Sequence, residues 1–352
     1  MKSIIHERPG VYSSYDASAV IRGGRASRVI GAAAKSTAGT ANVPVTLTSF
    51  EAGIAAFGED SADSAGMGQL LKLLFLNGAT QVVAVKVEGE DYASALAALE
   101  GVEDIQLIVC DSGDAAVHQK LKASVENASA ARRERIALVG TDGGTAAELV
   151  EKAKALNCER VVLVGGDVLD SDGNQLGGMF AAAAVAGAVA SQSDPAIPLN
   201  GAELKGLGGV AAQLSDNDID LMVRGGVTPL EAVGGIVSPV RGITTRTTTG
   251  GAADITWREM TTILIVDSVI PAIRQSLRSR FSRSKNTLQT RGAVRSQVIV
   301  ELESKKKAQI IDSYSDVTVS VYDEDPTVCL VEFSFAVAHG LNQIYLTAHI
   351  TI

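Results

Sequence analysis

Aromatic side chains are scarce in this 352-residue chain, at 4% of the sequence with a single Trp. That scarcity argues against an aromatic-lined binding groove and for helices packed closely on sheets. Cysteine is scarcer still. Cys110, Cys158 and Cys329 are far apart and none belongs to a CxxC pair. Each lies in or beside an apolar run, so all three read as reduced, small buried residues of a protein made in a cytoplasm. The four histidines, His6, His118, His339 and His349, show no HExxH or Cys/His ligand spacing. Neither a structural nor a catalytic zinc is expected. The opening MKSIIHERPG lacks the charged and apolar blocks of a signal peptide. The longest apolar run, MFAAAAVAGAVA at 179–190, is too short to span a bilayer and reads as a buried helix.

One absence is local. From Ser268 to Val300 there is no Asp or Glu, although the whole chain holds 40 acids against 31 bases and carries −9. The bases in that stretch are Arg274, Arg278, Arg280, Arg283, Lys285, Arg291 and Arg295; without them 24 bases would face 40 acids, a charge of −16. A basic face of this kind on an acidic protein calls for an acidic partner. Nucleic acid is a poorer fit, because the chain is acidic overall, no nucleic-acid motif is present, and Phe281 is the one stacking aromatic in the segment. The plain alternative is a solvated helix face.

What is abundant is apolar, at 46% of residues with a mean hydropathy of +0.19, so the chain folds and has the length for more than one domain. Strand and helix patterns alternate through its first two thirds. Strands are expected at 27–34, 81–87, 105–111, 135–140 and 160–166. Helices are expected over 66–78, from Asp91, from Ala115 and over 145–157, with Ser49 as N-cap of a helix within 47–58. The strands are continuous Val/Ile/Leu runs, as in a parallel sheet covered on both faces. After Gly242 comes a Gly/Thr-rich connector, then a helix from about Pro271 with Ile270, Ile273, Leu277 and Phe281 in one stripe. A second helix covers 291–303. Strands with period-two alternation follow at 310–325 and 327–338, joined by a DEDP turn. Both chain ends carry strand patterns without a sequence neighbour to pair with, and such edges invite another chain.

Several glycine-rich turns could carry chemistry. GTDGGT at 140–145 follows a strand and precedes a helix, but Asp142 opposes an anion there and Thr145 explains itself as an N-cap. GLGGVA at 206–211 matches a dinucleotide fingerprint in letters only; no buried strand precedes it, and it reads as a plain loop. Asp167, Asp170 and Asp172 could bind calcium, and Asp170, Asp172 and Asn174 alternate as its ligands do, but no terminal Glu follows, so a surface turn is favoured. No nucleophile elbow or triad pattern is present. Catalytic, cofactor and metal residues are therefore not assigned.

Four segments in order, ERPGVYSSYDAS (7–18), LTSFEAGIAAFG (47–58), DIDLMVRGGVTPLEAVGGIVSPVRGITTRT (218–247) and NQIYLTAHITI (342–352), resemble contractile tail sheath proteins of phages, tailocins and related contractile injection systems. The resemblance implies an α/β middle domain with a mostly parallel sheet, an α+β C-terminal sheath domain and extended terminal β arms. The expected boundaries are 1–22 for the N-terminal arm, 23–242 for the α/β domain, 243–341 for the C-terminal sheath domain and 342–352 for the C-terminal arm. It implies a structural subunit, not an enzyme, that polymerises helically around an inner tube and contracts to drive it through a target envelope. Its partners would be other copies of itself, the inner tube protein, and baseplate and tail terminator proteins, with no cofactor, no nucleic acid and no direct membrane insertion. It would be made in the bacterial cytoplasm and assembled into a tail particle.

The arms would add strands to neighbouring subunits through Val11, Tyr12, Tyr15, Val20 and Ile21 at one end and Ile344, Tyr345, Leu346, Ile350 and Ile352 at the other. The basic segment from Arg274 to Arg295 would face the tube. Larger relatives carry a FEPN-like turn after this helix, where this chain has FSRSKN. The alternative from the residues alone is an α/β nucleotide- or small-molecule-binding enzyme using the Gly-rich turns.

Overall fold

The computed structural model describes residues 28–61 and 66–348. The expected N-terminal arm and the last four residues of the C-terminal arm lie outside the described residues.

The body is built on an eight-stranded sheet in the order β11-β10-β6-β5-β4-β1-β3-β2. Its parallel centre is β10 (Val227–Val233), β6 (Val161–Gly165), β5 (Ile136–Gly140), β4 (Ile105–Cys110), β1 (Val29–Ala34) and β3 (Val82–Lys86). Antiparallel edges close it, β11 (Ile236–Pro239) on β10 and β2 (Val45–Leu47) on β3. The unbroken apolar runs have the expected cause, since helices cover both faces. α1 (Phe50–Phe57), α2 (Met67–Leu76) and α6 (Gly178–Ser191) bury one; α3 (Tyr92–Glu100), α4 (Ala115–Ala130), α5 (Ala146–Leu156) and α7 (Asp216–Arg224) bury the other. Successive residues of each strand serve opposite cores: Val162 and Val164 face α6, while Val161 and Leu163 face α5.

Local chemistry places two helix starts where the sequence puts them. The Ser49 hydroxyl accepts from the Ala52 N–H at 3.2 Å. Thr145 and Glu148 form a reciprocal capping box on α5. The Ala-rich α6 is buried from Gly178 to Ala190 apart from the half-buried Phe180. Its small side chains let backbone approach backbone: a Cβ on Gly140 would stand 2.0 Å from the Gly178 carbonyl oxygen. The turn at 140–145 is thereby occupied by the chain itself, with the Gly143 N–H donating to Asp167 Oδ1 at 2.8 Å.

Other expectations need correction. GLGGVA is not a loop: β9 (Leu207–Val210) pairs antiparallel with β7 (Val168–Asp170), which also pairs with β8 (Gln175–Leu176). Gly208 makes that possible, because any side chain there would meet the Asp170 carbonyl. Asp170 is spent inside this small sheet, accepting from the Asp172 and Asn174 N–H groups at 2.9 and 2.8 Å. The Thr-rich connector is pinned to the body, with Thr245 fully buried and its hydroxyl accepting from the Cys158 N–H and donating to the Cys158 carbonyl. It carries a small hairpin, β12 (Thr248–Thr249) with β13 (Ala252–Ala253). Cys110 and Cys158 are buried, which pushes both thiols to about 12, but Cys329 is exposed. It lies far along the C-terminal hairpin, beyond the residues that pack on the helices.

The helix expected from Pro271 begins eleven residues earlier: α8 spans Met260–Phe281 with Pro271 inside it. Proline costs only its own hydrogen bond and a local kink when tertiary packing holds both sides. The buried stripe is accordingly Ile265, Val269 and Ile273, with Leu277 packed beside it; Ile270 and Phe281 are only half-buried. α9 (Leu288–Lys307) then leads into β14 (Ile311–Tyr322) and β15 (Asp325–Val337), an antiparallel hairpin whose Val317, Val331, Phe333 and Phe335 pack against the α8–α9 core.

Replacing Gly140 by Ala drives a methyl group into the α6 backbone, and the variant is expected to lose about 2 kcal/mol or more. Urea unfolding followed by circular dichroism measures the loss, and an unchanged midpoint would contradict the packing described.

Candidate assembly surface

The seven bases of the acid-free stretch do not form one face. Arg274 Nη2 bonds Glu134 Oε1 at 2.8 Å and Nη1 donates to the Arg132 carbonyl at 3.4 Å. Arg291 Nη1 donates to Asn286 Oδ1 at 3.1 Å, and Arg295 Nε to the Val317 carbonyl at 2.8 Å. These three serve the fold. Arg278 and Arg280 in the last turn of α8, and Arg283 and Lys285 in the loop to α9, are exposed and form no ion pair with any described residue. The α8 C-terminus supplies partial negative charge that suits Arg278 and Arg280 there. Asn286 fixes the loop, donating through Nδ2 to the Pro326 carbonyl at 2.8 Å on β15. The end of α8 and the FSRSKN turn together therefore present four exposed positive charges, Arg278 and Arg280 from the helix and Arg283 and Lys285 from the turn.

The hairpin beside it is a sheet of two strands among the described residues. Val328 and Leu330 are exposed on β15. The chain then leaves the hairpin, with the Ala338 N–H donating to the Ile310 carbonyl and Asn342 Oδ1 accepting from Asn200 Nδ2 at 2.7 Å. Beyond that root, residues 341–348 pair with no strand among the described residues. Ile344, Tyr345 and Leu346 are 79%, 88% and 91% exposed. Apolar side chains in strand alternation, held in water beside an uncapped sheet, have the chemistry of strand addition. Val11, Tyr12, Tyr15, Val20, Ile21, Ile350 and Ile352 fall outside the described residues.

A pair of ion bridges escaped sequence reasoning. Arg160 bonds both Asp267 oxygens, at 2.8 and 3.0 Å, with the side chains 13% and 15% exposed. Burial works against the Arg160 charge, but the Asp267 hydrogen bonds and charge outweigh it and raise the guanidinium. At Glu134, burial pushes the carboxyl up, while the Arg274 hydrogen bond and charge more than reverse it and hold it below the ordinary value. The available signal was Asp267 itself, the lone acid ending the apolar run TTILIVD, seven residues before Arg274.

A doubly covered α/β body, a helix pair ending in exposed positive charge, and a strand-patterned segment that pairs with no described strand frame the comparison with known proteins. The model of the phage tail sheath protein central domain matches residues 85–245, and that of the phage tail sheath C-terminal domain matches 252–351. The chain belongs to the phage tail sheath protein family. The tail sheath protein of Bacillus phage SP01 is 30% identical over 254 residues, 70% of this chain and 43% of that protein, so the chain spans less than half of that relative's length. Among solved structures, the helical sheath of the anti-feeding prophage in its contracted state gives a TM-score of 0.74 at 16% identity over 98% of this chain and 99% of that one. The sheath tail protein of Desulfitobacterium hafniense gives 0.71 at 13% identity, covering 93% and 100%. That of Listeria innocua gives 0.71 at 14%, covering 90% and 93%. The enzyme alternative finds no support among these relatives.

The depressed Glu134 carboxyl sets a pH dependence. Its contribution is complete above the unfolded value near 4.5 and is lost as pH falls through the lower folded value. Urea midpoints of wild type and Glu134→Gln are expected to differ most at neutral pH and to converge in acid; a gap that widens in acid would contradict the assignment.

Proposed function

We propose that this chain is the repeating subunit of a contractile sheath that polymerises helically around an inner tube. The observation that carries the reading is the exposed segment 341–348 beside an open two-stranded sheet. One copy's C-terminal arm, 342–352, and N-terminal arm, 1–22, complete the β14–β15 sheet of neighbours. Head-to-tail contacts of this kind do not close and so build helices. We divide the chain into the α/β domain at 23–242 and the C-terminal sheath domain at 243–341.

Arg278, Arg280, Arg283 and Lys285 face an acidic tube surface. Exposed ion pairs are each worth about 0–1 kcal/mol, so they break readily. Repeated around many rings they hold the extended state through multivalency. Contraction is then mechanical: a metastable lattice set at assembly relaxes, subunits rearrange while the arms keep neighbours tethered, and the tube is driven forward. This chain performs no catalysis in that cycle. Baseplate and terminator proteins bound the lattice at its ends, and synthesis takes place in the bacterial cytoplasm before assembly into a tail particle.

Deleting 343–352 is expected to leave a soluble, folded subunit that forms no long polymers in electron micrographs; normal sleeves from the truncated protein would refute arm exchange. Changing Arg278, Arg280, Arg283 and Lys285 together to Gln is expected to weaken binding to purified inner tubes at least tenfold and to flatten its salt dependence. Equal affinity and salt slope would remove these residues from the tube contact.

A further inference from the structure

α8 passes from one hydrophobic core into another. Met260, Ile263 and Leu264 belong to the core of the α/β body, and Ile265, Val269 and Ile273 to the core under the hairpin. Beside the second half of the helix the body does not close on it. A groove of about 1150 Å³ runs there, with Glu134, Asp267, Pro271 and Arg274 among its lining residues. What crosses this groove is charge. Asp267 and Arg274 are seven residues apart, hence two turns apart on one helix face. Their partners come from one end of the sheet: Arg160 immediately precedes β6 and Glu134 lies just before β5, and those strands are parallel neighbours.

The order of signs is reversed between the two surfaces. The helix offers acid then base, and the sheet end offers the complementary base and acid. Moving the helix along its axis to exchange partners would set like charge against like and leave Arg160 buried without a counter-ion, so the arrangement accepts one register. Between the two pairs stands Pro271, which has no N–H to give the Asp267 carbonyl. The hydrogen-bond ladder is therefore interrupted within the span that the two ion pairs bridge, where a helix bends most readily.

We propose that Arg160–Asp267 and Glu134–Arg274 form a brace across the groove. These positioning residues fix the direction in which the last turns of α8, and with them the four free positive charges, leave the body. The inference rests on the reading of that charged end as the tube-facing surface. Arg274 thus contributes to docking by aiming its neighbours, not by meeting the partner itself.

The test uses the full-length chain in a Cys329→Ser background, with spin labels at Ala123→Cys on α4 and Ser284→Cys beyond α8, and reads the distance between them by double electron–electron resonance. The braced protein is expected to give one narrow distribution. Arg274→Glu, which sets like charges face to face, is expected to shift it or at least double its width, and adding Glu134→Arg is expected to restore it. Should Arg274→Glu fail to fold, Arg274→Gln is expected to broaden the distribution in the same sense. A merely stabilising pair would lower the urea midpoint and leave the distances unchanged; that result, or a double variant as broad as the single, overturns the brace. Electron microscopy of the parent protein separates the two ideas: absence of polymers refutes the sheath reading, while the distance data still decide the brace.

Discussion

A single helix that must satisfy two cores organises this protein. α8 buries its first residues in the α/β body and its later ones against α9 and the hairpin, so neither unit can be laid down without fixing the other's starting point. Its 22 residues are long and apolar enough, by length and composition, to cross a membrane, yet Met260 to Ile265 are all buried within the protein. The tension appears at Pro271 and in the groove, where apolar contact gives way to two ion pairs. Buried pairs cost desolvation and add little net stability, but they penalise wrong registers heavily. That property suits a part whose task is aim.

The body supplies rigidity. A six-strand parallel centre sandwiched by helices has no exposed apolar face of its own, and its edges are blunted by short antiparallel strands. The hairpin is the opposite case. Two strands are rarely stable alone, and here one face rests on α9 while no further described strand joins either edge. Under the proposed strand exchange, a chain that protects one sheet and leaves the other without further strands among its described residues directs pairing to one place.

Glycine in this sequence serves closeness more than chemistry. Gly140 against Gly178 and Gly208 against the Asp170 carbonyl let backbones touch. The motifs resembling nucleotide-binding loops are in this way filled from within, and their carboxylates are used by neighbouring N–H groups. Exposed charge without an ion-pair partner among the described residues lies at the periphery, in Arg278, Arg280, Arg283 and Lys285, together with an exposed apolar segment at 344–346.

The sequence by itself determined the α/β body and its capped helices, because periodicity, caps such as Ser49 and Thr145, and continuous Val/Ile runs act over a few residues. It also located the basic segment, but could not sort Arg278, Arg280, Arg283 and Lys285 from Arg274, Arg291 and Arg295. That division depends on what lies opposite each guanidinium, and Glu134 and Val317 are distant in sequence or on another element. Pro271 misled for the same reason: local propensity starts a helix at a proline, whereas packing on both sides lets α8 begin at Met260 and run through it. Only the tertiary structure could decide these points, since burial and charge pairing are properties of neighbours in space.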